Sequence, residues 1–159
     1  MTGSEIGSAV EWLVAVAPDP AACRREWRHD PLAVALLPAG KKWDVLVLPG
    51  DLGHPTLDVL HRVVGRPGPV LAGFGDARIG FFVPPGTVSR WLGTGVRGAG
   101  LGTWIVVPRP GRAAGGVRWL VEPDGSGTLT DPGLLELAMH EAAAQLARGA
   151  GEERGSRGC

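Results

Sequence analysis

The residues best suited to chemistry in this chain are arginines, and they are concentrated in one part of the sequence. No acidic residue occurs between Ala77 and Val121, whereas this stretch holds Arg78, Arg90, Arg97, Arg109, Arg112 and Arg118. Guanidinium groups pair well with phosphate and carboxylate groups. If folding brings these side chains to one face, that face binds anions. The alternative is that they are ordinary solvated positions in a chain rich in Ala, Gly, Pro and Arg.

Histidine and carboxylate groups give a weaker signal. His54 and Asp58 have the i,i+4 spacing of a helical metal pair, but His54 precedes Pro55 and is expected outside the helix that follows. These two residues and His61 are therefore interpreted as solvent-exposed. The nucleophile-elbow, P-loop and zinc-protease motifs are absent from the sequence. No metal site and no cofactor are predicted.

Composition sets the broad class of the protein. The chain has 159 residues, of which 44% are hydrophobic and 20% charged, which is typical of a globular domain. Its formal net charge is zero, which disfavours a dominant nonspecific attraction to nucleic acid. Cys23 and Cys159 do not have the spacing of a metal or redox pair, and no leader or membrane-spanning stretch is recognisable. We therefore expect a cytoplasmic protein without membrane association.

Apolar periodicity and turn residues predict the elements that must position the arginines. Helices are predicted over 8–16, 21–28, 55–64 and 133–148, with a helical turn over 87–92. Strands are predicted over 32–37, 43–48, 69–74, 78–83, 103–107 and 117–121. We expect 69–74 to pair with 78–83, and 103–107 to pair with 117–121.

This order of elements predicts a single-domain α+β fold, with a mixed or largely antiparallel sheet and flanking helices. A doubly wound parallel sheet fits poorly, because the chain has too few helical crossovers. The segment from Gly149 onward has almost no apolar residue to bury. The sequence therefore predicts a domain over 1–148 and a disordered tail over 149–159.

Four stretches together resemble the primase-polymerase domain of the archaeo-eukaryotic primase superfamily. They are AVALLPAGKK, WDVLVLPGDLGHPTLDVLHRV, GDARIGFFVPPG and TGVRGAGLGTWIVVPRPGRAAGGVRW. The last is the most specific, because its Arg-Gly, its glycine turn, its Val-Val-Pro strand and its closing tryptophan fall in step with the family pattern. The resemblance covers roughly residues 32–119 and implies a primase-polymerase-like fold in a short, stand-alone and catalytically degenerate form.

The resemblance also implies that polymerase chemistry is lost. The family uses carboxylates to hold two divalent cations around a triphosphate, together with a histidine that contacts phosphate. The matching positions are Pro49 and Asp51 for an acidic pair, Ile79 for the histidine and Gly95 for a third acid. One carboxylate alone offers a hard cation too few oxygen ligands.

The expected function is that of a catalytically inactive protein that binds nucleotide or single-stranded nucleic acid in a basic cleft. The expected ligand-binding residues are Arg78, Arg97, Arg109, Arg112 and Arg118, with Asp51 at the edge of the cleft. Trp104 or Trp119 would stack on a base, unless both are core residues. The alternative is a regulatory or protein-interaction module, including a homodimer, that uses the fold only as a scaffold. A different enzyme that reuses the cleft has no support beyond Asp51 and the arginines.

Overall fold

Short helices and strands follow one another through the part of the chain that the structure describes. A computed structural model describes residues 3–91 and 96–157, with side chains as far as residue 150. Its helices are α1 (Gly3–Val14), α2 (Pro20–His29), α3 (Gly50–Val64), α4 (Thr87–Arg90) and α5 (Pro132–Arg157). Its strands are β1 (Val34–Pro38), β2 (Asp44–Pro49), β3 (Val70–Gly73), β4 (Arg78–Val83), β5 (Arg97–Ala99), β6 (Trp104–Pro108) and β7 (Val117–Val121).

The strands form two antiparallel sheets. The larger sheet has five strands in the order β5-β2-β4-β3-β7, and the smaller one consists of β1 and β6. The predicted hairpin of β3 and β4 is confirmed. Together with the helices, the two sheets make a single-domain α+β fold, as the sequence predicts.

The predicted pairing of β6 with β7 is wrong. β6 pairs with β1, with Leu36 opposite Val106, and β7 pairs with β3, with Trp119 opposite Leu71. The loop between β6 and β7 therefore joins the two sheets instead of closing a hairpin. Strand β5, which adds to the edge of β2, was not predicted, because three residues within a glycine-rich run give no periodic signal.

Helix α3 begins five residues earlier than predicted. It starts at Gly50, whose N–H donates to the carbonyl of Ala77 at 2.9 Å. A side chain at Gly50 is excluded, because its Cβ would lie 2.0 Å from the carbonyl oxygen of Asp76. Pro55 lies inside the helix, and the prediction that His54 precedes the helix is wrong. Local sequence favoured Pro55 as the first residue, whereas the close contact with the β3–β4 turn sets the actual start.

Other helix boundaries also differ from the prediction. α1 starts at Gly3, so that Ser8 lies within the helix instead of capping it. In α2 the predicted cap is confirmed: the carboxylate of Asp19 accepts a hydrogen bond from the N–H of Ala22 at 3.1 Å. α5 does not end near residue 148 but continues to Arg157, because extending a helix that has already nucleated costs little. Residues 158 and 159 lie outside the description, and the boundary between a domain over 1–148 and a tail over 149–159 stays a prediction.

The core consists of two clusters, one on each face of the five-stranded sheet. The first face packs against α3 and α5 through Leu46, Leu48, Ile79 and Phe81, and we call it the α3–α5 face. The opposite face carries Val45, Val47, Gly80 and Phe82, and we call it the cleft face. Phe82 anchors its closed part, with ring centroids 4.7 Å from Trp43, 5.6 Å from Trp119 and 6.2 Å from Trp12. Among the described helices, none is both long and apolar enough to span a bilayer.

Candidate ligand-binding cleft

A cavity of about 410 Å³ opens where the smaller sheet fails to cover the cleft face completely. Its floor includes Val47, Gly73 and Gly80 from the larger sheet, and β6 forms the facing wall with Trp104 and Val106. No acidic residue lines it among the described residues. The cavity therefore combines an apolar floor with walls that carry only neutral or positive groups.

Two glycines, Gly73 and Gly80, contribute only backbone to the floor of the cavity. Gly80 lies opposite Val47 on β2 and opposite Leu71 on β3, at the centre of the sheet. A Cβ at Gly80 would lie 2.9 Å from Cγ1 of Val45, so that the packing tolerates no larger residue without displacement. Gly73 continues the open floor toward β7, opposite Val117.

Arg78 and Arg97 both face this cavity. Arg97 lies opposite Val47, and Arg78 lies opposite Pro49 and Gly73, so the alternation of strand side chains directs both arginines to the cleft face. Both line the main cavity and an adjoining one of about 240 Å³. Neither forms an ion pair with a carboxylate of the described residues. The structure therefore brings together two of the five arginines that the sequence assigned to a ligand site.

Two exposed aromatic side chains flank the arginines. Trp104 is 47% exposed and Phe74 is 74% exposed, and both line the cavity. The guanidinium carbon of Arg78 lies 4.8 Å from the centroid of the Phe74 ring, which is a cation–π distance. Trp119, in contrast, is buried and donates its indole N–H to the carbonyl of Pro108 at 3.1 Å. The alternative that both tryptophans are core residues is therefore confirmed for Trp119 and wrong for Trp104.

Arg118 does not belong to the cleft. It lies between Val117 and Trp119 on β7, which places its side chain on the α3–α5 side of the sheet. Its Nε donates to Oδ1 of Asp76 at 3.1 Å, and its Nη2 makes a second, short contact with Oδ2. His54 Nε2 lies 3.3 Å from the same carboxylate. The hydrogen bonds from Arg118 hold the pKa of Asp76 below its usual value, and the Asp76 carboxylate in turn raises the pKa of Arg118.

The remaining predicted residues are not gathered at the cleft. Arg109 is half-buried and donates to the carbonyl of Pro110 at 3.3 Å, and Arg112 is exposed in the loop between β6 and β7. Asp51 is exposed in the first turn of α3 and does not line the cavity. The structure therefore offers no direct support for these three residues as ligand contacts.

The sequence resemblance to primase-polymerases aligns Pro49, Ile79 and Gly95 with catalytic residues, and the described ones among them form no metal-binding cluster. Ile79 is fully buried, and a Cβ on Gly53 of α3 would lie 2.5 Å from its Cβ, so this position faces away from the cleft. Pro49 ends β2, and Gly95 lies outside the described residues. Among the side chains that the structure describes, in residues 3–91 and 96–150, no three His, Cys, Asp or Glu come together as a metal site.

The buried carboxylate of Asp44 lies outside the cleft that contains Arg78 and Arg97. It is 1% exposed, and its Oδ2 accepts a hydrogen bond from the N–H of Val88 at 3.0 Å, which holds the turn that carries α4. It lines a separate cavity on the other side of β5. Asp44 therefore has a structural contact in place of a position beside Arg78 and Arg97.

Sequence reasoning missed the aromatic and glycine components of the cleft. Phe74 falls at the end of the predicted strand 69–74, and no sequence pattern singles out Gly73 or Gly80 as part of a site. The available signal was the alternation of Gly80 and Phe82 with Ile79 and Phe81, which marks a strand with one large face and one partly empty face.

Comparison with known proteins adds no family assignment. No protein-family model matches the chain, and neither a curated protein nor a solved structure matches it at a significant level.

Proposed function

We propose that this protein binds a nucleotide or single-stranded nucleic acid in the cleft, without carrying out polymerase chemistry. The observation that carries the proposal is the pair of cleft-facing arginines, Arg78 and Arg97, which have no carboxylate partner among the described residues. Two unneutralised guanidinium groups beside an acid-free cavity attract an anion. The cytoplasm is the compartment in which we expect this binding.

The other walls of the cleft suit the uncharged part of such a ligand. A cavity of about 410 Å³ is within the size range of small-molecule sites, and its floor is apolar. Trp104 is exposed enough to stack on a planar base, which contributes on the order of 1–3 kcal/mol per base in proteins that bind single strands. Phosphate at the arginines and a base against Trp104 together account for the polar and apolar parts of the cleft.

Binding is tested by titrating labelled oligo(dT) and a nucleoside triphosphate at low salt. We expect Arg78→Ala and Arg97→Ala each to weaken binding roughly 10- to 150-fold, because one charge-assisted hydrogen bond contributes roughly 1.5–3 kcal/mol. Arg112→Ala is the matched control, since it removes the same charge from an exposed loop outside the cavity. Melting temperatures should stay close to that of the unmodified protein, because Arg78 and Arg97 are exposed.

The possible outcomes distinguish binding in the cleft from nonspecific electrostatic attraction of the ligand to the protein. Equal losses in all three variants would indicate nonspecific electrostatics, and no binding at low salt would contradict the proposal. A fall in melting temperature for Arg97→Ala would show that this side chain braces its glycine-rich loop.

The absence of polymerase chemistry has its own test. We expect no incorporation of labelled nucleotide into a primed template with Mg²⁺ or Mn²⁺. The reason is that Pro49 and Ile79 occupy the positions at which primase-polymerases, which the sequence resembles, have a carboxylate and a histidine. Metal-dependent extension that Asp51→Ala abolishes would overturn this part of the proposal.

A protein-interaction module is the second candidate function. It is favoured by the more exposed face of the smaller sheet, where Val34 and Leu36 lie beside the cleft residues Trp104 and Val106 and all four are between 37% and 57% exposed. Exposed apolar groups that lie together are typical of interaction surfaces.

A further inference from the structure

The outer edge of β1 is an open strand edge. β1 has one neighbour, β6, in the smaller sheet. The N–H of Ala39 donates to the carbonyl of Thr103 at 2.8 Å, and the register continues from this pair to Leu37 opposite Ile105. In an antiparallel ladder, hydrogen-bonded and non-hydrogen-bonded pairs alternate. The backbone groups of Val34 and Leu36 therefore point away from β6, and they form no hydrogen bond within the described residues.

This edge carries few of the features by which proteins usually prevent edge-to-edge pairing. Natural edge strands are protected by short length, proline, charged side chains, bulges or a covering segment, and β1 has proline only at its end. β1 reads Val-Ala-Leu-Leu-Pro, without a charged residue, and pairs regularly with β6. Leu36, at its centre, is 57% exposed. The edge is therefore suited to pairing with another strand.

We propose that two copies of this chain pair through β1, antiparallel, about a two-fold axis at Leu36. The N–H of each Leu36 then donates to the carbonyl of Leu36 in the second copy. The pairing is centred on Leu36 and ends before Pro38, which is buried and has no N–H to donate.

Charge complementarity favours a second copy as the occupant. Antiparallel pairing brings the start of one β1 beside the end of the other. Exposed Asp30 precedes the strand, and exposed Lys41 and Lys42 follow it, so the two-fold axis places opposite charges near each other at both ends. The formal net charge of zero removes long-range repulsion between copies.

The resulting four-stranded sheet leaves the ligand cleft open. Trp104 and Val106 of β6 line the cavity, and no residue of β1 does. We therefore expect pairing at the outer edge of β1 to leave the cavity uncovered. The dimer thus does not depend on the proposed binding function, and either can fail without the other.

Site-directed cross-linking tests the register. In a Cys23→Ala, Cys159→Ser background, Leu36→Cys places the two thiols of the dimer on directly opposite residues, with Cα atoms about 5.5 Å apart, within the range that a disulfide spans. Val34→Cys is the matched control, because the two positions are about 13 Å apart along the strands. We expect a covalent dimer under mild oxidation for Leu36→Cys and none for Val34→Cys. Equal linking of both variants, or linking of neither, would overturn the proposal.

Sedimentation of the full chain tests the backbone pairing. We expect a concentration-dependent dimer that Leu36→Ala retains and Leu36→Pro abolishes, since only proline removes the outward N–H. Circular dichroism checks that Leu36→Pro folds, which we expect because this N–H makes no hydrogen bond to any residue that the structure describes. If it does not fold, Leu36→Lys, with Leu137→Lys on α5 as the exposed-leucine control, replaces it. A monomer at all concentrations, or a dimer that survives both Leu36→Pro and Leu36→Lys, would contradict the β1 interface.

Discussion

The two faces of the five-stranded sheet are built from the same strands but differ in how completely they are covered. On the α3–α5 face, Leu46, Leu48 and Phe81 are almost completely buried beneath two helices. On the cleft face, the corresponding positions include Gly80 and the exposed Arg78. Large apolar residues on one face require a cover, whereas small and charged residues on the other leave an opening. The comparison shows that two helices close one face, whereas the other face combines a closed part around Phe82 with an opening at Gly80 and Arg78.

The arginines on the two faces differ in the same way. Arg118, on the α3–α5 side, is paired with Asp76, and its charge is largely neutralised. Arg78 and Arg97, on the cleft side, have no such partner among the described residues. The position of an arginine relative to the sheet thus decides whether it serves a local structural contact or remains available to a ligand.

The largest expected difference between the two faces is in the free energy of unfolding that is lost when an apolar side chain is truncated. We expect Leu48→Ala to lower the free energy of unfolding by about 2–5 kcal/mol, because its fully buried side chain leaves a cavity. Val47→Ala, the next residue on the same strand, should cost about 1 kcal/mol or less, because its side chain already borders the open cleft. Urea unfolding of both variants measures the difference. Equal costs would show that the cleft closes in solution.

An identical substitution on the two faces should have a different effect on each. Gly53→Ala should destabilise the protein by roughly 1–3 kcal/mol, because the new Cβ would lie 2.5 Å from Ile79 beneath α3. Gly73→Ala should change the free energy of unfolding by less than about 0.5 kcal/mol, because its Cβ would lie an ordinary 3.5 Å from Val117. Thermal unfolding compares the pair. A stabilising Gly53→Ala would mean that α3 packs less tightly than described.

The smallest expected effect concerns the Asp76–Arg118 pair and its dependence on pH. Because Arg118 holds the pKa of Asp76 below its usual value, the stability that this carboxylate contributes is fully present above about pH 4 and is lost as the pH falls through the lowered pKa. We expect Asp76→Asn to be slightly less stable at neutral pH and to match the unmodified protein in strong acid. Urea midpoints measured at intervals from pH 7 to pH 2 provide the check, and a difference that persists in acid would contradict the ion-pair explanation.

Sequence patterns predicted most of the regular structure, because the signals concerned are local. Apolar runs bounded by turn residues located β2, β4 and β7, and a carboxylate before a proline located the start of α2. The start of α3 and the strand β5 could not be predicted in this way. The start of α3 depends on a contact between Gly50 and the turn that contains Asp76. Strand β5 depends on an edge of β2 that accepts three residues from a glycine-rich run.

The candidate site likewise combines features that local sequence predicts with features that depend on tertiary contacts. The sequence alone determined that an acid-free, arginine-rich segment exists and that its neighbours are strands. Only the tertiary structure decided that Arg78 and Arg97 share a cleft while Arg118 pairs with Asp76 on the opposite side. The physical reason is that strand alternation fixes which residues share a face, whereas the register between strands and the coverage of each face depend on residues far apart in the chain. Those long-range choices also place Trp104 at the cleft and Trp119 in the core.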